Sequence, residues 1–244
     1  MSKVNDTEFK VPDVTKLKVT DDNKSVNPPK QKVIVFCIPG KSFTNRFLIL
    51  WSELLLQCIL NGYRPILCQE NDKNLYIQRN KCLGANLLSN DENQKPFQGK
   101  VDYDYIVFLD PNVVFTYDTL IKLLESPHDV TTGIYLFNEK TTNLVKEMNH
   151  EFYLKNGTFQ FVLQDDIVNL KKKDNRYFDV DFTDLGFIVF KNGAIEKLKY
   201  PWFDATTKEP VALFTDSYSF CQKLKENNIK IYADADTRTK YLET

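Results

Sequence analysis

From Lys32 onward the hydrophobic positions fall into blocks of two alternating textures. "KVIVFCIP" (32–39), "RPILCQE" (64–70) and "DYDYIVFLD" (102–110) are short apolar runs bounded by polar residues, the pattern of strands buried on both faces of a sheet. Between them, "NRFLILWSELLLQCILNG" (45–62) and "DKNLYIQRNKCLGANLL" (72–88) are longer and carry helical spacing. The order reads βαβαβ, so right-handed crossovers predict a parallel sheet. Gly62 suits the end of the first helix and Asp72 the start of the second. One edge of such a sheet collects Pro39 to Thr44, Gln69 to Asp72 and Asp110 to Asn112.

The second half is less regular. "YDTLIKLLESP" predicts a helix and "DVTTGIYLF" a strand, while "TFQFVL", "YFDVDFTDLGFIVF" and "KIYADA" alternate or run apolar. "TDSYSFCQKLKENN" has helical spacing at Phe214, Tyr218, Cys221 and Leu224. This half is expected to add mixed strands and one helix to the same sheet. Residues 1–31 are polar and end in "NPPKQK", a composition that buries little surface, so they read as a tail or leader. Residues 32–244 read as one domain, since 244 residues with 42% hydrophobic content suffice for one large α/β core.

Charge removes some function classes. A net charge of −1 gives no basic excess for capturing nucleic acid or anionic lipid, and "LKKKD" (170–174) reads as a solvated loop. No apolar segment precedes Val33 and none is long enough to span a membrane, so the expected protein is soluble, unsecreted and cytoplasmic. Five cysteines without CxxC spacing read as reduced core thiols, and without secretion the sequons at Asn5 and Asn156 carry no weight.

The first βα turn, "IPGKSFTNR", has one glycine where a dinucleotide fold needs three, and the Walker pattern is absent. His128 and His150 lack catalytic spacing, and no G-x-S-x-G accompanies Ser217 and Ser219. Arg79 falls inside the apolar arc of the second helix with Leu75, Cys82, Leu83 and Asn86. A cation there needs a partner, either an internal carboxylate or a bound phosphate or base. In "FLDPNVVF" (108–115), Asp110 and Asn112 interrupt an apolar run at a strand's carboxyl end. Such oxygens hold a cation or a sugar hydroxyl in the crevice of an open sheet, or they simply form a turn.

Taken in order, "QRNKCL", "DYIVFLDPNVVF", "DVTTGIY", "DLGFIVFK", "YPWFD" and "TDSYSFCQKLKENNIKIYAD" resemble the nucleotide-sugar-dependent glycosyltransferases of the GT-A fold. The resemblance runs from Lys32 to Leu242 and is nearest to the compact domains with which giant DNA viruses glycosylate capsid proteins. It implies a GT-A-like, Rossmann-related α/β domain with a mixed, mainly parallel central sheet flanked by helices, lying in the host cytoplasm if the source is viral. It implies a nucleoside-diphosphate-sugar donor, here a UDP-sugar, and a glycan or glycoprotein acceptor.

On that resemblance, Pro39, Arg79, Asp110 and Asn112 bind the donor. Asp110 and Asn112 also occupy the Asp-x-Asp place that holds Mn²⁺ or Mg²⁺, with an uncharged amide weakening the site. Tyr241 stands where relatives place a metal-binding His. Thr215-Asp216 replaces a Glu-Asp pair, which leaves Asp216 as the base of an inverting transfer; its alternative role is to complement the helix terminus, worth about 0.3–1 kcal/mol. Trp202 and Phe203 are expected to wall the sugar or acceptor, or else to be core. Gly186 lets the backbone approach the sugar, or marks a bulge. The rival reading is a degenerate sugar- or nucleotide-binding or scaffolding domain. A nucleotidyltransferase would want a first loop richer in Gly and Lys than "PGKSF".

Overall fold

The computed structural model describes residues 31–173, 175–204 and 215–241. The tail expected over residues 1–31 lies outside these apart from Gln31. Eleven strands and six α-helices form the described part. They begin with β1 (Lys32–Pro39), α1 (Asn45–Leu60), β2 (Tyr63–Glu70), α2 (Leu75–Cys82), β3 (Tyr105–Leu109), β4 (Val113–Val114) and α3 (Tyr117–Leu124). There follow β5 (Val130–Leu136), β6 (Thr141–Val145), α4 (His150–Asn156), β7 (Phe161–Leu163), α5 (Gln164–Lys172), β8 (Tyr177–Val180), β9 (Phe182–Thr183), β10 (Phe187–Lys191), α6 (Thr215–Glu226) and β11 (Ile231–Tyr241).

The sheet runs β2-β1-β3-β10-β5-β11-β4. β2, β1 and β3 are parallel, β10 opposes both β3 and β5, and β5 and β11 are parallel again. The sheet is therefore mixed and mainly parallel, as expected. β6 leaves the main path to pair with β5, β7 and β9, and β8 pairs with the start of β11.

β1 shows why the apolar runs are continuous. Ile34, Phe36 and Ile38 face one side, where α1 and α3 supply Phe47, Trp51, Leu54, Leu120 and Leu123. Val33, Val35 and Cys37 face the other, against Cys82, Leu83, Phe203, Phe220 and Leu224. Each large aliphatic or aromatic side chain so enclosed contributes about 1.5–3 kcal/mol.

Some boundaries differ from expectation. α2 is short, and its N-cap is Asn74; Asp72 instead accepts from the Asn74 amide and pairs with Lys81 at 2.7 Å. Gly62 follows the C-cap Asn61 with φ of +80°, as a helix-ending glycine does. After β5 the described residues hold three helices where one was expected, and "LKKK" is the end of α5 with its C-cap Lys173, where cations complement the helix terminus, not a loop. Phe214 lies outside the described residues, while Tyr218, Cys221 and Leu224 are buried as predicted. Among the described residues no helix is long and apolar enough to cross a membrane.

Candidate active site

The carboxyl end of β3 turns at once. Val113 N donates to Asp110 O at 3.1 Å, closing a four-residue turn with Pro111 in its second place, where a fixed φ near −65° is preorganised. The tripeptide is a turn, and the turn faces a crevice of about 400 Å³. Pro39 to Thr44, Leu75, Gln78, Asp110 to Asn112 and Tyr241 line it. Thr44 caps α1 by accepting from Phe47 N at 3.1 Å, which fixes the loop that ends the crevice wall. Gln69 donates to Gly40 O at 2.6 Å and ties that loop to β2.

Behind the crevice lies a buried polar network centred on Arg79, whose Nε has no hydrogen-bond partner among the described residues. Arg79 is 1% exposed; its Nη1 donates to Asp216 Oδ2 at 2.7 Å and to Ser217 Oγ at 3.1 Å, and its Nη2 stands 3.7 Å from Asp110 Oδ1. Ser217 Oγ donates to Asp184 Oδ1 at 3.1 Å, and Tyr135 Oη to Asp184 Oδ2 at 2.9 Å. Gly186 N donates to Tyr135 Oη at 3.1 Å, and Asp110 N to Gly186 O at 2.9 Å. Two carboxylates, Asp110 and Asp216, thus face one guanidinium, and Asp184 joins them through Ser217. Burial, helped by the charges of Asp184 and Asp216, raises the Asp110 pKa to about 6 against the opposing pull of Arg79. Burial and the neighbouring acids also hold the Tyr135 phenol well above its usual range, so it stays a proton donor to Asp184.

The expected residues therefore divide. Pro39, Asp110 and Asn112 come together on the crevice, with Tyr241 opposite. Arg79 is not among the lining residues; its partners are internal acids, the internal-carboxylate alternative for this arginine. Asp216 reaches the same place through Arg79. Trp202 and Phe203 are fully buried: Phe203 stacks on Phe220 at 4.4 Å, Tyr200 meets Trp202 edge-on, and Asn80 clamps the Phe203 backbone. They are core rather than sugar-facing walls, both lying in the apolar cluster that also takes Phe220 and Leu224 from α6. Gly186 is required by a close approach, but to protein: a Cβ there would collide with Tyr135 Oη and stand 3.0 Å from Val113 Cγ2. Its backbone is thus committed to Tyr135 and Asp110. Neither sugar approach nor bulge accounts for it.

Sequence reasoning missed Tyr135 and Asp184. The signals were faint: a single phenol in the apolar run "TTGIYLF" and an acid just before "LGFIVF".

The donor set fits a resident divalent cation poorly. Hard cations favour several anionic oxygens, and here one carboxylate faces a guanidinium while Asn112 Nδ2 donates to Tyr241 Oη at 3.5 Å. Among the described residues no group of three His, Cys, Asp or Glu is placed to hold a metal. Asn112→Asp combined with Tyr241→His supplies the missing charge and an imidazole. Calorimetry should show Mn²⁺ binding about tenfold or more tighter in the double variant than in wild type, and more than in either single variant. An unchanged affinity would mean that the two positions do not form one site.

A hollow of about 440 Å³ beside Lys146, Phe152, Phe161 and Phe178 holds none of the expected residues.

No family model and no curated protein matches this chain. Solved structures with a similar course of chain include A197 from STIV, at 17% identity and TM-score 0.49, covering 88% of this chain and 95% of that one. The catalytic domain of Drosophila beta1,4galactosyltransferase 7, in complex with xylobiose, shows 10% identity and TM-score 0.47 over 88% and 71%. The inositol-1-phosphate CTP transferase from T. maritima shows 13% and 0.40 over 88% and 89%. Likenesses at this level leave the chemistry of the chain to be read from its own residues, and those residues form a polar crevice at the carboxyl edge of a mixed α/β sheet.

Proposed function

We propose that the domain is a nucleotide-sugar-dependent glycosyltransferase that moves a sugar from a UDP-sugar to a hydroxyl of a glycan or protein with inversion. The observation that carries this reading is the pairing of Asp110 and Asp216 on one guanidinium, beside a crevice at the carboxyl end of the sheet. In this reading the donor occupies the crevice between the Pro39 to Thr44 loop and the Asp110 turn. Asp216 accepts the proton of the acceptor hydroxyl as its oxygen attacks the anomeric carbon and the diphosphate departs. Arg79 positions Asp216, with Oδ2 fixed by Nη1. Lys41, the one cation among the described lining residues, offsets charge on the leaving group. No step is assigned to a metal.

A second reading, a domain that binds sugar or nucleotide or scaffolds a glycosylation assembly without turnover, is favoured by the neutral Asn112–Tyr241 contact. Calorimetry with UDP and UDP-sugars, with and without Mn²⁺, followed by assays of donor hydrolysis and transfer, separates the two. Turnover supports the enzyme. Binding with no turnover across broad acceptor sets supports the second reading, and no binding of any nucleotide removes both.

A further inference from the structure

Helix α1 is apolar on two sides. Phe47, Trp51, Leu54 and Cys58 enter the core, yet Leu48, Ile49, Leu56, Ile59 and Leu60 are each more than half exposed. At about 100° per residue these five, with Ser52 and the first residue Asn45 among them, fill an arc roughly 120° wide, and Arg46, Glu53 and Gln57 follow on the next arc. Ile49, Ser52, Leu56 and Ile59 have the three-four-three spacing of a helix-pairing seam. A contiguous aliphatic stripe of this kind marks an interaction surface.

The stripe is also symmetric about Leu54. Reversing the helix lays Leu48 on Leu60, Ile49 on Ile59, and the small Ser52 on Leu56. A face that meets its own copy across a two-fold axis must be self-complementary in this way. A lipid surface is a poorer match, because interfacial helices carry Lys and Arg beside the apolar face, and α1 has only Arg46, offset by Glu53. Edge pairing through β2 is hindered by Pro65, which has no N–H to offer.

We propose that a second copy of this chain packs here, α1 against α1, antiparallel about a two-fold axis at Leu54. Sixteen residues make a helix about 24 Å long, so the paired face covers on the order of 1,000 Å² in total. That is the lower end for a specific interface, the size range of reversible contacts. The proposal is independent of the chemistry in the crevice.

Sedimentation velocity of the full chain, up to about 200 µM, should show a concentration-dependent dimer. Leu56→Glu with Ile59→Glu places four carboxylates in the seam and should sediment as a monomer throughout, with far-UV circular dichroism unchanged. Should that variant fail to fold, Ser52→Cys with Leu56→Cys gives an independent readout: mild oxidation should trap a disulfide-linked dimer. A wild-type monomer over the whole range overturns the proposal, as does a dimer that survives the two glutamates or a cysteine pair that never cross-links. Monomeric protein that co-sediments with phosphatidylserine vesicles would assign the face to lipid and likewise overturn it.

Discussion

Arg79→Leu should destabilise the domain by about 3–5 kcal/mol, the usual cost of removing one partner from a buried ion pair. For a domain of this size that is a fall in Tm of roughly 6–20 °C. The charge left behind causes the loss. Asp216 keeps 11% of its side-chain surface exposed and Asp110 19%, and both lose the guanidinium they share. The effect has a definite pH sign. Without Arg79, which pulls the Asp110 pKa down, that folded-state pKa moves further up, so the folded variant takes up a proton more readily than the unfolded chain. The deficit should therefore be largest at pH 7–8 and shrink as pH falls through about 6, where Asp110 already titrates. Thermal melts at pH 5 and pH 8, with Arg79→Leu/Asp216→Asn as a double variant losing less than the sum of the singles, check each part. A Tm within a degree of wild type at pH 8 would show that the acids do not depend on Arg79.

Asp216→Asn should lower transfer by 10²-fold or more while UDP affinity changes little, the range of general-base contributions. The substitution keeps shape and removes only the proton-accepting charge. Asp216 also anchors Arg79, so a drop in activity alone does not separate the two roles. The pH–rate profile does. A base gives kcat/KM an acidic limb that disappears in the asparagine variant, whereas a purely positioning residue lowers the whole curve and leaves its shape. Normal turnover in Asp216→Asn, or a lowered profile with its limb intact, would exclude proton transfer at this residue.

The parts of the fold legible in the sequence were those with two buried faces or a long period. β1 could be read to the residue because six consecutive side chains, Ile34 to Pro39 with Val33 before them, leave little polar interruption. α6 could be read because Tyr218, Cys221 and Leu224 repeat on one face. α4 and α5 could not: they run seven and nine residues, and α5 buries a single side chain, Ile167, too little to establish a period. The site was legible in its ends and not in its centre. Asp110 announces itself by breaking an apolar run, and Asp216 by opening a helix. That Arg79 joins them is a contact across 137 residues that no local pattern encodes. Trp202 and Phe203 misled because an aromatic pair carries the same signal in a core as in a sugar site.

That 137-residue separation also has a bearing on biosynthesis. At about 5–20 residues per second, roughly 7–27 s pass between the making of Arg79 and of Asp216. Until the later carboxylate leaves the ribosome, β1, α1, β2, α2 and β3 can pair with one another while the arginine they enclose lacks its shortest ion pair and has Asp110 at 3.7 Å as its direct acidic partner. The amino-terminal half is thus expected to stay loosely closed on the ribosome and to lock only when the last helix arrives. A nascent chain stalled before residue 216 should remain protease-sensitive near α2, and one released after it should not.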